Sequence, residues 1–384
     1  MVALLLAVTM VVQDSGAFVV RLGTDTLALE QYTRTATQLQ GQYVIRTPRS
    51  LHRIYTLDLN PDGTVRRLQL VTHNIGGGPG PMETKNSVDF SGDTAVMVSP
   101  RGDTAVTSKL AVPHGTFPFQ LHVYGLLEQI GRWARAQGKD RVRFTALTSA
   151  TATSGGYIVK RGGDTLVIMF DQGQYTGVGP FTFRLDRQGH LTWLTGKGST
   201  LQVEVQRVAS VPMAQAGPMF ANRPLGQLSV RDTARANLQG VDVWVDYGRP
   251  LKRGREIFGN VVPWNTVWRT GANAATQLNA SGDIVIGADE NRTAMVVRGG
   301  KYTLWTLPTP TGWKLIINKQ TGQWGTEYNE AQDLVRIDAK VETLPTPVEQ
   351  LTIAFEPHTH TGWRTLTITW DRTRVSVPIS IHFP

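Results

Sequence analysis

The chain contains no cysteine among its 384 residues. Disulfide bonds, thiolate metal sites and cysteine nucleophiles are therefore excluded. Catalytic signatures are also missing, because no Gly-x-Ser-x-Gly elbow, His-Glu-x-x-His pair or dinucleotide-binding glycine fingerprint occurs. The glycine-rich stretch at 76–80 is not followed by the Gly-Lys-Ser/Thr and helix of a phosphate-binding loop. We predict a protein that is not an enzyme, with no catalytic residues and no cofactor.

Long hydrophobic runs are missing too, apart from one at the N-terminus. Residues 2–12 are apolar except for Thr9, and the small residues Ser15, Gly16 and Ala17 follow. This pattern is typical of a secretory signal peptide over residues 1–17, although no Lys or Arg precedes the run. A membrane-spanning helix would need about twenty apolar residues. The sequence therefore predicts a periplasmic or extracellular protein, and a retained N-terminal segment would make it peripheral on the membrane.

Charged residues make up only 18% of the chain and apolar residues 40%, which is typical of a folded globular protein. The formal net charge is +9, and the excess is spread along the sequence. Diffuse positive charge favours contact with anionic lipid, an acidic glycan or an acidic protein face. The simpler interpretation is a solvated basic surface.

The length predicts two β domains. In 18–211, short runs of alternating polarity indicate strands, and a Gly-Asp-Thr phrase at Gly92, Gly102 and Gly163 predicts hairpin turns in which glycine supplies a positive φ. Residues 119–137 carry apolar side chains at helical spacing and precede Gly138, which predicts one amphipathic helix packed on a curved antiparallel sheet. Residues 212–224 contain three prolines and predict a linker to a second domain at 225–384.

The second domain holds the most distinctive motifs of the sequence. These motifs are Tyr247-Gly248-Arg249-Pro250, Val262-Pro263-Trp264, Val267-Trp268-Arg269-Thr270-Gly271-Ala272-Asn273 and Gln323-Trp324-Gly325. Through these motifs, the segment 225–384 resembles the bacterial DUF2911 family. The resemblance implies a compact β domain with no established activity. Independently, alternating runs separated by turns predict an antiparallel β-sandwich or jelly-roll-like fold.

Four residues of these motifs are candidate binding groups, namely Trp264, Trp268, Arg269 and Asn273. Arg255 is a fifth, in the further family motif Gly254-Arg255-Glu256-Ile257-Phe258-Gly259. Arginine beside tryptophan suits sugar or carboxylate recognition, through stacking and paired hydrogen bonds. The alternative is that Arg269 and Asn273 tie neighbouring loops to the sheet.

Two further clusters have simple alternatives. Arg249, Lys252, Arg253 and Arg255 form a basic segment that predicts a contact patch for an acidic protein or lipid headgroups, or else a solvated turn. Because aromatic residues are not interleaved with these cations, we predict no nucleic-acid partner. His358 and His360 would share one face of a strand, and with Glu356 they form a weak metal candidate; a hairpin loop is the simpler interpretation, so we predict no metal site.

These observations leave three functional hypotheses. The first is an exported, non-catalytic accessory subunit that contacts proteins at the periplasmic face of an integral membrane complex. One specific form, an extrinsic subunit of a photosynthetic reaction-centre complex, is based on a general likeness and on no motif. The second is an envelope glycan- or lipid-binding module. The third is a hydrolase whose acidic pair is assembled only in three dimensions, and Asp283, Asp289 and Glu290 are acids available for it.

Overall fold

The computed structural model describes residues 14–77, 81–102, 104–171, 180–197, 199, 201–287 and 295–382. The chain divides into two compact units. The first runs to Gly226 without residues 23–25, and the second contains residues 23–25 and 227–384.

The first unit contains one 15-stranded sheet and two helices. Its strands are β1 (Asp14–Leu22), β2 (Asp25–Arg34), β3 (Gln38–Ile45), β4 (Leu51–Leu59), β5 (Val65–Asn74), β6 (Glu83–Ser91), β7 (Thr94–Arg101), β8 (Thr104–Ala111), β9 (Phe117–Pro118), β10 (Arg141–Ser149), β11 (Ala152–Lys160), β12 (Thr165–Phe170), β13 (Phe181–Leu185), β14 (Leu191–Thr195) and β15 (Glu204–Val208). Its helices are α1 (Tyr124–Ala136) and α2 (Met213–Ala221).

These strands form a meander. Strands β1 to β8 follow one another in the sheet, strands β9 to β15 do the same, and the antiparallel pair of β1 with β15 joins the two runs. Tight hairpin turns connect neighbouring strands of the meander. At three of these turns glycine has a positive φ, which is +56° at Gly92, +61° at Gly102 and +54° at Gly163. The predicted use of glycine at these turns is confirmed.

Helix α1 lies against the sheet, and its contacts require the sheet to curve. Gly131 packs so closely on Phe183 of β13 that a Cβ there would lie 2.8 Å from the phenyl ring. At the other side, Gln129 donates a 2.6 Å hydrogen bond to the carbonyl oxygen of Gly63, in the turn between β4 and β5. Strands far apart in the sheet therefore meet the same helix, as the fold prediction required.

The helix begins later than the predicted start at 119. His122 has a left-handed φ of 66° and Val123 is extended, so helical backbone starts only at Tyr124. Phe117 and Pro118 instead pair with β10 as a short parallel strand. The sequence pattern placed the start too early because the loop also carries apolar side chains. Phe119 and Leu121 line a small apolar cavity beside α1.

The segment 212–224, predicted as a linker, is a folded part of the first unit. It contains α2, whose Met213, Ala216 and Phe220 are buried against Leu29 and Val44 of the sheet. Pro218 lies inside this helix. The proline content therefore pointed to a linker although the apolar residues between the prolines form a packing face.

The predicted signal-peptide segment 1–17 extends into the folded part of the chain. Residues 1–13 lie outside the described residues, but Ala17 is buried in β1 and paired with Val208. Asp14 contacts Arg132 at 3.3 Å and His190 at 3.1 Å. Cleavage after Ala17 would divide a central strand and remove these ion pairs, so the small residues Ser15, Gly16 and Ala17 have a structural role.

The second unit contains a nine-stranded antiparallel sheet. Its strands are β16 (Ser229–Leu238), β17 (Val241–Pro250), β18 (Thr276–Ala280), β19 (Ile284–Ile286), β20 (Met295–Val297), β21 (Gly300–Thr309), β22 (Gly312–Asn318), β23 (Asp333–Pro357) and β24 (Arg364–Ile381), and a short 3-10 helix spans Glu330–Gln332. The order is β16-β17-β18-β21-β22-β23-β24-β19-β20.

Strand β23 gives this unit its two layers. Its first part pairs with β22 and its remainder with β24. The Tyr247 hydroxyl of β17 accepts from the Ile353 N–H at 2.9 Å, so β17 faces the second part of β23 although the two are not neighbours in the sheet order. Buried Val245, Leu315 and Ile368 fill the space between the layers. The predicted β-sandwich-like fold is confirmed.

Candidate functional site

The first unit contains a cavity of about 430 Å³, here called the sheet cavity, within the range of small-molecule sites. Side chains of β4, β5, β6 and β7 form one wall, and residues next to β9 and at the end of β10 form the other. The apolar lining includes Leu51, Leu68, Leu70, Val88, Met97 and Leu147, and the polar lining includes Arg49, Arg53, Thr72, Asn74, Asn86 and Gln120.

The period of two along β5 explains the mixed lining. Leu68, Leu70, Thr72 and Asn74 occupy alternate positions and therefore project from the same face of the sheet. Leu70 lies opposite Asn86 of β6, and Thr72 lies opposite Arg53 of β4. One face is thus apolar at the start of the strand and polar at its end.

Asn74 is the most unusual polar group in this lining. Asn74 is only 3% exposed, yet neither Nδ2 nor Oδ1 of its side chain has a hydrogen-bond partner among the residues that the structure describes. A buried polar group without a partner costs about 1–3 kcal/mol. An asparagine at this position is therefore unfavourable for folding unless a bound molecule completes its hydrogen bonds.

Arg53 is a second polar group of this lining whose hydrogen bonds are incomplete. Its Nη1 donates a 2.7 Å hydrogen bond to the Tyr43 hydroxyl, and its Nε is buried without a partner. Removal from water and the charge of Arg53 lower the pKa of His122 to about 4, so this imidazole is neutral near pH 7. Among the described lining residues there is no carboxylate, so the cavity has a positive character.

A second cavity of about 580 Å³ lies at the C-terminal end of α1. Its lining mixes Lys139, Lys160 and Arg187 with Asp140 and Asp164. None of the residues that line it has a buried side-chain atom without a partner. Among the described residues, this cavity therefore lacks the unpartnered polar atoms that favour ligand binding in the sheet cavity.

The predicted tryptophan platform lies in the core of the second unit. Trp268 is 8% exposed and stacks on Trp370 with ring centroids 6.0 Å apart. Trp264 is partly buried and lies 6.2 Å from the ring of Phe258, which also meets Trp313 edge to face. Trp268 presents no open face to a sugar, because its rings pack inside the sandwich.

Arg269 and Asn273 fit the loop-tying alternative. The Asn273 carbonyl accepts from the Gly325 N–H at 2.9 Å, and the Arg269 side chain packs so closely on Gly325 that no side chain fits at 325. Removal from water lowers the pKa of Arg269 to about 10. Because the Arg269 Nε is buried without a hydrogen-bond partner among the described residues, it stays a candidate for anion binding.

The cations of the predicted basic patch are engaged within the second unit. Arg249 pairs with Asp232 at 2.7 Å and Lys252 with Asp371 at 2.6 Å. Arg255 donates from Nε to the Lys252 carbonyl at 3.0 Å, and Arg253 is only 8% exposed. The segment therefore does not present four free charges, because its side chains hold neighbouring strands and loops together.

The weak metal candidate is not assembled. The rings of His358 and His360 stack with centroids 5.1 Å apart, but Glu356 is bound to Arg374 at 2.6 Å. Within the described part of the chain, no three His, Cys, Asp or Glu side chains are arranged to hold a metal ion. The same ranges contain no helix of the length and hydrophobicity that crossing a bilayer requires.

An acidic pair does exist, but sequence reasoning did not select it. Glu30 and Glu128 are both fully buried in the first unit. Glu30 accepts from the N–H groups of Tyr124 and Gly125 at 2.7 and 3.0 Å and thereby caps α1, which has no cap of its own. Of the earlier candidates, Asp283 is paired with Arg298, and Asp289 and Glu290 lie outside the described residues.

Glu128 occupies the centre of a polar network. It accepts 2.6 Å hydrogen bonds from the Tyr32 hydroxyl and the Leu191 N–H, and Arg207 lies 3.1 Å away. Neither glutamate lines any of the cavities described above. Their contacts are those of a buried structural network and give no support to a hydrolase.

The comparisons with known proteins identify part of the chain. No curated protein is detectably similar to it in sequence. A β-barrel-like DUF1849 protein from Brucella abortus is 13% identical over 51% of this chain and 93% of its own, with a TM-score of 0.34. A DUF1089 protein from Pseudomonas aeruginosa is 13% identical over 44% of this chain and 90% of its own, with a TM-score of 0.31. Similarities this low carry no argument.

The family comparison is more informative. The first unit has no family match. The C-terminal region, residues 229–379, matches the family described as protein of unknown function (DUF2911), which confirms the resemblance carried by its motifs.

Proposed function

We propose that this protein is a non-catalytic binding protein that holds a small, partly apolar molecule in the sheet cavity. The observation that carries this proposal is the buried Asn74 amide, which lines the cavity and lacks hydrogen-bond partners. The alternation along β5 places leucines and polar groups side by side. An occupant with an apolar part and a polar part is complementary to such a lining.

This proposal is a form of the binding-module hypothesis, moved from the tryptophans of the second unit to the first unit. It is favoured over catalysis because the buried carboxylates cap a helix and pair with arginines away from the cavity. The hypothesis of an accessory subunit in an integral membrane complex, including a photosynthetic one, stays a prediction. So does the periplasmic location.

A dye titration tests whether the cavity is open to ligands. Anilinonaphthalene sulfonate, an aromatic anion, is expected to fluoresce on binding the wild-type protein, because apolar and cationic groups meet in the cavity. Thr72→Trp fills the cavity with an indole and is expected to weaken dye binding about tenfold or more. Val71→Trp, on the opposite face of the same strand, is the matched control and is expected to bind as the wild type does.

Equal dye binding by the two variants would contradict the proposal, because the dye would then bind elsewhere. Absence of dye binding to the wild-type protein would contradict it as well. Circular dichroism spectra of the three proteins establish that each is folded before the titrations are compared.

A further inference from the structure

The size of the sheet cavity limits what can occupy it. At about 30 Å³ for each small non-hydrogen group, 430 Å³ holds about 14 such groups. This corresponds to an acylated amino acid or a dipeptide, and excludes a folded domain or a long polymer inside the cavity. The inference drawn here rests on the proposed function and names the class of ligand.

The charges around Arg53 favour an anion. The guanidinium contacts the Tyr43 hydroxyl and lies 5.7 Å from the centre of the Tyr43 ring, and no ion pair of Arg53 is present among the described residues. Gln120, which hydrogen-bonds Tyr43, is also neutral. A ligand carboxylate would give this half-buried cation the partner that the protein does not supply.

The amide of Asn74 specifies a second group. Its Nδ2 requires an acceptor and its Oδ1 requires a donor, and both atoms lack partners. A secondary amide supplies one carbonyl acceptor and one N–H donor, and because they point in opposite directions across the trans amide bond, one of them serves one of the two Asn74 atoms. Arg53 lies opposite Thr72, one inward position along β5 from Asn74, which corresponds to about 7 Å. The arginine side chain is long enough to bridge that span.

We propose that the sheet cavity binds small carboxylates that carry a secondary amide and an apolar side chain, the chemistry of N-acyl amino acids and peptide C-termini. The carboxylate faces Arg53, and the amide supplies a hydrogen bond to the Asn74 side chain. The apolar side chain packs against Leu68, Leu70 and Met97.

Three probes that share the same isobutyl side chain separate these contributions in calorimetric titrations. N-acetylleucine carries the amide and the carboxylate, isocaproate carries only the carboxylate, and N-acetylleucinamide has no charge. N-acetylleucine is expected to bind about tenfold more tightly than either of the others, since each lost group leaves Arg53 or Asn74 without its partner.

Two variants assign the groups. Arg53→Gln is expected to weaken N-acetylleucine about tenfold and to leave N-acetylleucinamide unchanged. Asn74→Leu is expected to abolish the advantage of N-acetylleucine over isocaproate and also to raise the Tm by about 3 °C, because it removes the buried unpaired amide. Arg67→Gln, which removes a cation from the outer face of β5, is the control and is expected to change neither affinity nor ligand preference.

The outcomes distinguish this inference from the proposed function. If the dye binds in the cavity but all three probes bind equally or not at all, the ligand class is wrong and the cavity keeps its proposed role. If Asn74→Leu leaves every affinity unchanged, a water molecule satisfies the amide and the inference is overturned. If the dye fails to bind the wild-type protein, the proposed function fails first.

Discussion

Glu128→Gln is expected to lower the free energy of unfolding of the first unit by about 3–5 kcal/mol. The carboxylate is fully buried, and three arginines lie within 4 Å of it: Arg207 at 3.1 Å, Arg132 at 3.5 Å and Arg34 at 3.7 Å. Removal of the charge leaves these guanidinium groups in a partly dry environment without their shared counter-ion. The amide that replaces it also turns an N–H toward the Leu191 N–H or the Tyr32 hydroxyl.

Urea denaturation followed by circular dichroism measures this loss. Glu83→Gln is the matched control, because Glu83 is exposed and pairs with Lys85 and His73 at the surface. Its loss is expected to leave the urea midpoint unchanged, because solvent screens ion pairs at the surface. A Glu128 variant as stable as the Glu83 variant would mean that the network contributes nothing net to folding, and that the arginines find other partners.

The general architecture could be predicted because its signals are local. Alternating runs, Gly-Asp-Thr turns and one apolar stripe at helical spacing each depend on a few consecutive residues. The start of α1 could not be predicted, because the left-handed His122 and the cap from Glu30 depend on a strand about ninety residues away. The helix α2 could not be predicted either, because prolines such as Pro218 are typical of linkers. Its burial depends on strands that are distant in the sequence.

The candidate site was harder to predict. The family motifs drew attention to Trp268 and Arg249, whose distinctive side chains serve the core and the strand contacts of the second unit. The sheet cavity instead combines single positions from β4, β5, β6 and β7, none of which is distinctive by itself. One signal was available: the inward face of β5 changes from Leu68 and Leu70 to Thr72 and Asn74, so a core face becomes polar. Such a change within one strand indicates a cavity wall.

Two groups near the start of α1, Glu30 and His122, are expected to make the free energy of unfolding depend on pH in opposite directions. Burial, together with the nearby charge of Glu128, raises the pKa of Glu30 to about 7 despite the hydrogen bonds that it accepts. Its contribution is therefore fully present below pH 4.5, its ordinary pKa, and is lost as the pH rises through 7. For His122, removal from water and the charge of Arg53 lower the pKa to about 4, so its contribution is present above pH 6.5 and is lost as the pH falls through 4.

In the wild-type protein these two effects oppose each other, so single variants are needed to separate them. Relative to wild type, the free energy of unfolding of Glu30→Gln is expected to rise by about 3 kcal/mol between pH 4.5 and pH 7. That of His122→Asn is expected to fall by about 3 kcal/mol between pH 4 and pH 6.5, and asparagine keeps the left-handed backbone of this position. Urea titrations at four pH values across this window measure the two differences. Variants whose free energy of unfolding depends on pH as that of the wild-type protein does would contradict both predictions. Glu30 and His122 would then have ordinary pKa values, and the carboxylate that caps α1 would be in contact with water.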